Sequence, residues 1–247
     1  MSKILVIGDS CTDVFRYGEV NRIAPEAPIP VLKPQKETSN PGMAGNVVTN
    51  LKALKVDVDF ITNKKEIKKI RYVCSKYNHP LLRVDENDKC DKIDIENVLV
   101  TIDWDKYDAI IISDYCKGFI NEYDIEYIAQ AHPLTFLDTK RILGNWARNI
   151  SFIKINYQEY QNNEKVLLNN PHLFEKTIIT RGKHGCNHKN KNYDTVQVPI
   201  KDVSGAGDTF LAGLVENYVT TRNIETAIDF AQKCTTTVIQ KLGVSTI

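Results

Sequence analysis

The residues with the clearest chemical potential form one short run near the end of the chain, Asp202-Val-Ser-Gly-Ala-Gly-Asp-Thr-Phe. Gly205, Ala206 and Gly207 are small enough for the backbone to turn sharply and to approach a ligand closely. A helical pattern follows, so their N–H groups would face outward from a helix N-terminus, where anions bind. Asp208 would then lie beside a bound anion, where a carboxylate accepts the proton of an attacking hydroxyl. The alternative is an ordinary glycine-rich turn in which Asp208 only caps the helix.

The elements that position this run alternate between short apolar β-rich segments and helical patterns. This alternation predicts an α/β fold with a doubly wound, mostly parallel sheet and helices on both faces. We predict strands at residues 4–7, 56–62, 109–113, 135–138, 152–155 and 177–180. We predict helices at residues 45–54, 121–130, 157–164, 207–218 and 224–242, and 94–99 also has helical spacing. The segment 109–113 is continuously apolar, as expected of a strand buried on both faces.

Two regions do not follow this alternation of strands and helices. Residues 29–34 resemble an edge strand bounded by prolines, and residues 71–74 and 81–84 resemble further exposed β segments. Together they could form a small sheet that projects from the main domain. The lysine-rich run at 64–69 is expected to be a solvated loop rather than a binding patch.

The composition argues against nucleic acid and membranes as partners. The chain has 247 residues, 42% hydrophobic and 26% charged, and a formal net charge of +1. This balance gives no general field for attracting nucleic acid or a membrane, so the charge that would hold a phosphate ester must be local. No apolar run has the roughly 18 residues of a membrane span. The six cysteines are scattered and no signal peptide is recognisable, so we expect reduced thiols and a cytoplasmic protein.

The run around Asp208 extends to Ala212-Gly213 one turn later on the same helix, and in this form it resembles the C-terminal signature of the PfkB (ribokinase-like) carbohydrate kinases. The resemblance implies a single kinase domain over residues 1–247 that uses ATP and Mg²⁺. Asp208 would be the catalytic base. The amides of Gly205, Ala206 and Gly207 would stabilise charge on the transferring phosphoryl group.

Further motifs occur in the order that this family shows. Pro41-Gly-Met-Ala-Gly-Asn46 resembles the family's Gly-Gly-x-x-x-Asn region and implies that Gly42 and Asn46 contact sugar hydroxyls, with Met43 in place of the second glycine. Asp13 matches a carboxylate that grips sugar hydroxyls, unless it is only a turn residue. Asn156-Tyr-Gln-Glu159 resembles the Asn-x-x-Glu motif, which implies that Glu159 places Mg²⁺ through water. The resemblance implies a nucleotide site lined by Asn156, Glu159, Thr180, Gly182, Gly185 and Asp202.

A narrower resemblance is to the D-glycero-D-manno-heptose-7-phosphate kinase branch. It rests on residues 8–31, on 71–85 and on Ser113-Asp-Tyr-Cys-Lys-Gly118. It implies that Asp114 and Lys117 contact substrate and that Lys117 supplies the local positive charge, although a solvated loop lysine is the alternative. It also implies lid segments at about 13–40 and 69–86 that close the pocket and form a homodimer.

The chain also differs from this branch. It lacks a helix-and-strand unit after residues 56–62, so we expect one sheet edge to be shorter than usual. We expect no nucleotidyltransferase domain of the kind that the bifunctional members carry. Two alternatives stay open: a kinase for another sugar, nucleoside or hexose phosphate, or a catalytically silent sugar- or nucleotide-binding protein. The intact Asp208 favours catalysis. His184-Gly-Cys-Asn-His188 carries metal-ligand residue types, but we expect a turn into a hairpin there rather than a zinc site.

Overall fold

A computed structural model of the chain describes residues 2–94, 97–98 and 100–247. The helical spacing at 94–99 includes residues 95, 96 and 99, which lie outside the described part. The strands in chain order are β1 (Lys3–Gly8), β2 (Ser10–Ile23), β3 (Pro30–Met43), β4 (Asp57–Thr62), β5 (Lys68–Cys74), β6 (His79–Glu86), β7 (Ala109–Asp114), β8 (Thr135–Thr139), β9 (Phe152–Asn156), β10 (Thr177–Thr180), β11 (Cys186–His188) and β12 (Lys191–Tyr193).

Helices connect these strands. They are α1 (Ala44–Ala53), α2 (Glu122–Ala131), α3 (Tyr157–Asn169), α4 (Pro171–Phe174), α5 (Ala206–Thr221) and α6 (Ile224–Val238). Asparagine side chains accept hydrogen bonds from the first-turn amides of three of them, as N-cap residues do: Asn121 at α2, Asn156 at α3 and Asn223 at α6. All five predicted helices outside 94–99 are present, with ends displaced by a few residues.

The main sheet has eight strands in the order β12-β11-β10-β9-β8-β7-β1-β4. The six strands from β10 to β4 run parallel, and the β11–β12 hairpin adds an antiparallel end. Side chains alternate between the two faces of a strand. Ile4 and Val6 therefore pack into a core with residues of α1, α5 and α6, while Leu5 and Ile7 pack into a second core with residues of α2 and α3. The predicted doubly wound fold is confirmed.

The small sheet has four strands in the order β3-β2-β5-β6, in which β2 and β5 are parallel and the outer pairs antiparallel. It is larger than the sequence suggested, because β2 and β3 each extend over 14 residues. The prediction of a solvated loop at 64–69 is wrong at its end. Lys69 lies in β5 with 8% of its surface exposed, because the pairing of β5 with β2 carries it under the sheet.

The main sheet ends at β4, as the missing helix-and-strand unit predicts. β4 pairs with β1, and five residues later the chain enters β5 of the small sheet. Phe60 on β4 is 37% exposed. At the opposite end, residues 186–193 form the predicted hairpin, and no cluster of three or more metal-ligating side chains occurs among the described residues. Within the same ranges no helix is long and apolar enough to cross a membrane.

Candidate active site

The turn that precedes α5 is held by its own first residue. The carboxylate of Asp202 accepts hydrogen bonds from the N–H of Ser204 at 2.8 Å and from the N–H of Gly243 at 3.1 Å. Gly205 has φ 77°, and a Cβ there would lie 2.4 Å from the Asn46 amide nitrogen. Only glycine fits this position without displacing Asn46. Asp202, predicted at the nucleotide site, thus shapes the turn that leads into α5.

The amides of this turn differ from the prediction in one respect. The N–H of Ala206 donates to the carbonyl of Val203 at 3.1 Å and closes a tight turn. This N–H is therefore not free to bind an anion. The N–H groups of Gly205 and Gly207 have no hydrogen-bond partner in the described part of the chain. Two of the three predicted donors are therefore available to an anion at the N-terminus of α5.

Asp208 lies directly below these amides and is 4% exposed. Its Oδ2 accepts from the side-chain amide of Asn46 at 3.0 Å, and its Oδ1 accepts from the hydroxyl of Tyr115 at 2.5 Å. Asn50 donates to the Asn46 side-chain oxygen at 3.1 Å, which turns the Asn46 nitrogen toward Asp208. No hydrogen bond joins the Asp208 carboxylate to a helix amide among the described residues, so the helix-cap alternative has no support.

Burial determines the protonation of Asp208. Loss of solvent raises the pKa of the Asp208 carboxyl to about 6, while the hydrogen bonds from Tyr115 and Asn46 act in the opposite direction. A carboxylate with this pKa is mostly ionised at neutral pH and still basic enough to take a proton from a hydroxyl. The group thus has the properties of a general base.

A buried ion pair lies under the anion site. The ammonium of Lys154 on β9 contacts the carboxylate of Asp138 on β8 at 2.8 Å. A Cβ on Gly207 would lie 2.9 Å from this ammonium, so the charge sits against the backbone of the turn. Burial acts to lower the pKa of Lys154, but Asp138 outweighs it and the pKa lies above its usual value. Lys154 therefore stays positive beside the place where phosphate oxygens would bind.

A cavity of about 120 Å³ opens on the far side of the turn. Its lining includes Thr180, Gly182, Gly185, Ala206 and Gly207, which brings three predicted nucleotide residues to the anion site. Gly185 has φ 70°, and a Cβ there would lie 1.9 Å from a backbone carbonyl oxygen. The glycine lets the β10–β11 connection fold tightly against this cavity.

Asn156 and Glu159 form a reciprocal capping box at the start of α3. The Glu159 amide donates to the Asn156 side chain at 2.8 Å, and the Asn156 amide donates to Glu159 Oε2 at 2.7 Å. Burial, and next the charge of Asp138, raise the pKa of Glu159. Mg²⁺ in kinase sites is held by one or two carboxylates together with phosphates and water. One constrained carboxylate close to a second acid fits that kind of binding, through water.

On the side facing the small sheet, Asp13 of β2 packs against Gly42. A Cβ on Gly42 would lie 2.1 Å from the Asp13 carboxylate, so the glycine permits this approach. Asp13 is buried and accepts a hydrogen bond from the Arg71 guanidinium of β5. Met43 has φ 58°, where a side chain is strained by about 1–3 kcal/mol. Its buried sulfur lies 3.1 Å from the Lys69 ammonium, so Met43 fills space that a glycine would leave open.

Two ammonium groups flank the ring of Tyr115. Lys69 Nζ lies 5.4 Å and Lys140 Nζ 4.5 Å from the ring centroid. Within the described ranges neither forms an ion pair with a carboxylate. Burial lowers the pKa of Lys69, because its positive charge is poorly compensated. These two lysines place two positive charges close to Tyr115.

Lys117 and Asp114 were predicted to contact substrate, but the side chains of both bind other side chains of the protein. The Lys117 ammonium contacts Asp88 at 2.6 Å, so its charge is largely compensated. Asp114 is 1% exposed, and its carboxylate accepts from Arg141 at 2.6 Å and from Thr139 at 2.7 Å. We therefore correct the assignment. Asp114 shapes the loop that follows β7. Lys69 and Lys140 are better placed than Lys117 to attract an anionic substrate.

Sequence reasoning missed several groups at this site: Lys69, Arg71, Tyr115, Asp138, Lys140 and Lys154. A partial signal was available. Tyr115 and Lys140 directly follow β7 and β8, and Asp138 is the last residue but one of β8. Ligands of open α/β sheets bind where parallel strands end, but Lys154, in the middle of β9, gives a weaker signal. Lys69 and Arg71 gave no such signal, because their position depends on how the small sheet pairs.

Comparison with known proteins shows what the chain is similar to. Residues 153–247, which contain β9, the cavity-lining residues and Asp208, match the pfkB family of carbohydrate kinases. This C-terminal part of the chain is therefore similar to the pfkB carbohydrate kinases. Curated relatives cover nearly the whole chain. The bifunctional protein HldE of Vibrio parahaemolyticus is 29% identical over 294 aligned residues, which include 99% of this chain and 61% of that protein. HldE of a Shewanella species is also 29% identical, with 100% and 62% covered.

Solved structures of a ribokinase and a phosphofructokinase share the fold of this chain. The ribokinase of Thermotoga maritima superposes with a TM-score of 0.71 at 14% identity, covering 99% of this chain and 95% of that chain. Phosphofructokinase-2 of Escherichia coli gives a TM-score of 0.69 at 13% identity, covering 99% and 94%. The fold is therefore ribokinase-like. The chain spans about three fifths of the length of the HldE proteins that it matches.

Proposed function

We propose that the chain is an ATP-dependent phosphotransferase that acts on a hydroxyl of a sugar or sugar phosphate. The observation that carries this proposal is the position of Asp208. It lies buried at the start of α5, with two free amides above it and the cavity lined by Thr180 and Gly182 on one side. On the other side lie Asp13 and the ammonium groups of Lys69 and Lys140, which flank Tyr115 and have no acidic partner among the described residues.

In this arrangement ATP enters as a substrate with its phosphates at the Gly205 and Gly207 amides and the Lys154 ammonium. The acceptor hydroxyl approaches in line, and its oxygen forms a bond to the γ-phosphorus while the bond to the bridging oxygen breaks. Asp208 accepts the hydroxyl proton, and ADP leaves with the electrons of the broken bond. Mg²⁺, when bound, neutralises charge on the phosphates, and Glu159 would hold its hydration shell.

An anionic acceptor fits best, because Lys69 and Lys140 lie beside the base and lack acidic partners among the described residues. Heptose 7-phosphate is the specific substrate that we propose. It rests on the resemblance of residues 8–31, 71–85 and 113–118 to that branch, and the similarity to the HldE proteins supports it. The small sheet, with Arg71 and Lys69 on β5, would serve as the lid of this pocket.

A panel assay tests the proposal. Purified protein with ATP and MgCl₂ is given heptose 7-phosphate, fructose 6-phosphate, ribose or a nucleoside, and ADP release is followed by a coupled assay. We expect ADP release that depends on an acceptor and is fastest with heptose 7-phosphate. Acceptor-dependent release with a different sugar would revise the substrate only. A wild-type protein that binds sugar or nucleotide but releases no ADP with any acceptor would contradict the proposal and favour a silent binding protein.

A further inference from the structure

Tyr115 contacts Asp208, although the motif in which it lies, residues 113–118, was interpreted only through Asp114 and Lys117. Its hydroxyl donates to Asp208 Oδ1 at 2.5 Å, while Asn46 donates to Oδ2 at 3.0 Å. Each oxygen of the carboxylate is thus held by a different side chain, from β7 on one side and α1 on the other. Two hydrogen bonds to separate oxygens fix the plane of a carboxylate. They also leave lone pairs free, because an ionised carboxylate has about four acceptor positions.

The loop after β7 is built to deliver this hydroxyl. The backbone N–H of Tyr115 donates to the carboxylate of Asp9 at 2.7 Å, and the N–H of Cys116 donates to Asp114 at 3.0 Å. Asp9 and Asp114 are almost fully buried, and Asp9 also accepts from the amide of Phe119 at 3.2 Å. Two buried carboxylates therefore fix the backbone on both sides of the tyrosine. Burying two carboxylates costs free energy, so their placement beside Tyr115 indicates that this residue must be held in a fixed position, and not only packed.

We propose that Tyr115 is a positioning residue for Asp208: its hydroxyl orients the carboxylate and favours the ionised form, while the acceptor hydroxyl uses a remaining lone pair. The inference rests on the proposed role of Asp208 as base. A hydrogen bond to the charged form of an acid favours that form. Burial, and next the charge of Asp208, raise the pKa of Tyr115 well above its ordinary value, so the phenol stays a donor throughout the working range.

Other titratable groups face this pair and set the background against which it acts. They are Asp138 and Lys154 near Asp208, and Lys69, Lys140 and Cys11 near Tyr115. None of them is changed when the Tyr115 hydroxyl is removed. Tyr115→Phe keeps the ring and its contacts with the two lysines, so it isolates the hydrogen bond to Asp208.

The first test is the pH dependence of kcat/KM. In the wild type we expect an acidic limb with a midpoint near the Asp208 pKa of about 6. In Tyr115→Phe the midpoint should rise by about one pH unit, with little change in the KM for ATP. Tyr107→Phe is the matched control, because the Tyr107 hydroxyl also donates to a carboxylate, Asp59 at 2.7 Å, at a distance from the site. It should leave the midpoint unchanged.

The second test does not require turnover. The protein is labelled with ¹³C at aspartate carboxyl groups, and the Asp208 signal is identified by its loss in Asp208→Asn. Its titration midpoint should move upward by about one unit in Tyr115→Phe and not in Tyr107→Phe. An unchanged midpoint in this titration overturns the inference, even if the wild type transfers no phosphoryl group and the proposed function itself has failed. A rise of kcat/KM in Tyr115→Phe at neutral pH also overturns it, since the hydroxyl would then compete with the acceptor.

Discussion

The main sheet and the small sheet contribute different things to one site. The main sheet is buried on both faces by helices, and it holds Tyr115 after β7, Asp138 on β8 and Lys154 on β9 in fixed positions. The small sheet is largely exposed, and it contributes Asp13, Lys69 and Arg71 from β2 and β5. Chemistry that requires a fixed geometry lies on the packed element. Groups suited to holding a substrate lie on the element with less support.

This division predicts a separation of kinetic effects. Changes on the main sheet should reduce the rate of transfer or the use of ATP, because those groups surround the phosphoryl group. Changes on the small sheet should weaken binding of the sugar, because those groups lie on the acceptor side. The predictions below test this separation.

The largest effect expected on the small sheet is at Lys69. Lys69→Gln removes a charge that has no acidic partner in the described part of the chain, and it should raise the KM for an anionic acceptor about 10- to 100-fold, with a smaller effect on kcat. Lys117→Gln is the control, since the Lys117 charge is compensated by Asp88, and its effect should be smaller. Steady-state kinetics with a sugar phosphate and with a neutral sugar measure both. Equal losses with the neutral sugar would show that Lys69 does not bind an anion.

On the main-sheet side, Glu159→Gln should raise the Mg²⁺ concentration for half-maximal activity about tenfold and leave sugar affinity nearly unchanged. Glutamine also forms capping boxes, so α3 should keep its start. Glu164→Gln on the same helix is the control. Mg²⁺ titrations of ADP release provide the measurement. A loss of sugar affinity that Mg²⁺ does not relieve would remove Glu159 from the metal role.

The buried base should also affect stability. The pKa of Asp208 is raised from 3.8 to about 6 in the folded protein, so its ionisation destabilises the fold as pH rises from about 4 to 6. Asp208→Asn does not titrate. The difference in unfolding free energy between variant and wild type should therefore grow by about 2 kcal/mol between pH 4 and 7.5. Urea unfolding at the two pH values measures this change, and a constant difference would contradict the raised pKa.

The smallest expected effect concerns assembly. Leu82 on β6 is 58% exposed, and the open edges of the small sheet invite pairing with a second copy across a two-fold axis. Leu82→Glu should lower the dimer fraction at micromolar concentration and weaken sugar affinity together. Leu168→Glu, at an exposed position on α3, is the control. Sedimentation velocity gives the fraction, and a wild-type monomer with full activity would show that the small sheet works without a partner.

The two sheets also differ in how well their strands could be predicted from the sequence. Residues 109–112 are apolar at every position because both faces of the strand are covered, so this strand could be predicted from composition alone. A small projecting sheet was predicted, but its full extent could not be, because β2 and β3 mix charged residues and prolines and acquire their length from mutual pairing. Lys69 illustrates the limit: its burial follows from the register of β5 against β2, which no local pattern encodes. Asp208 could be identified from the sequence, because small residues just before a helix predict an anion site from the local pattern alone.

The most direct test of the central claim is the turnover of Asp208→Asn. With ATP, Mg²⁺ and the best acceptor from the panel, we expect kcat to fall by about 10²–10⁴-fold, the range for loss of a positioned base. The ATP affinity measured by calorimetry should stay close to that of the wild type, because the amides of Gly205 and Gly207 remain in place. A variant that keeps most of its activity would contradict the assignment of Asp208 as the base.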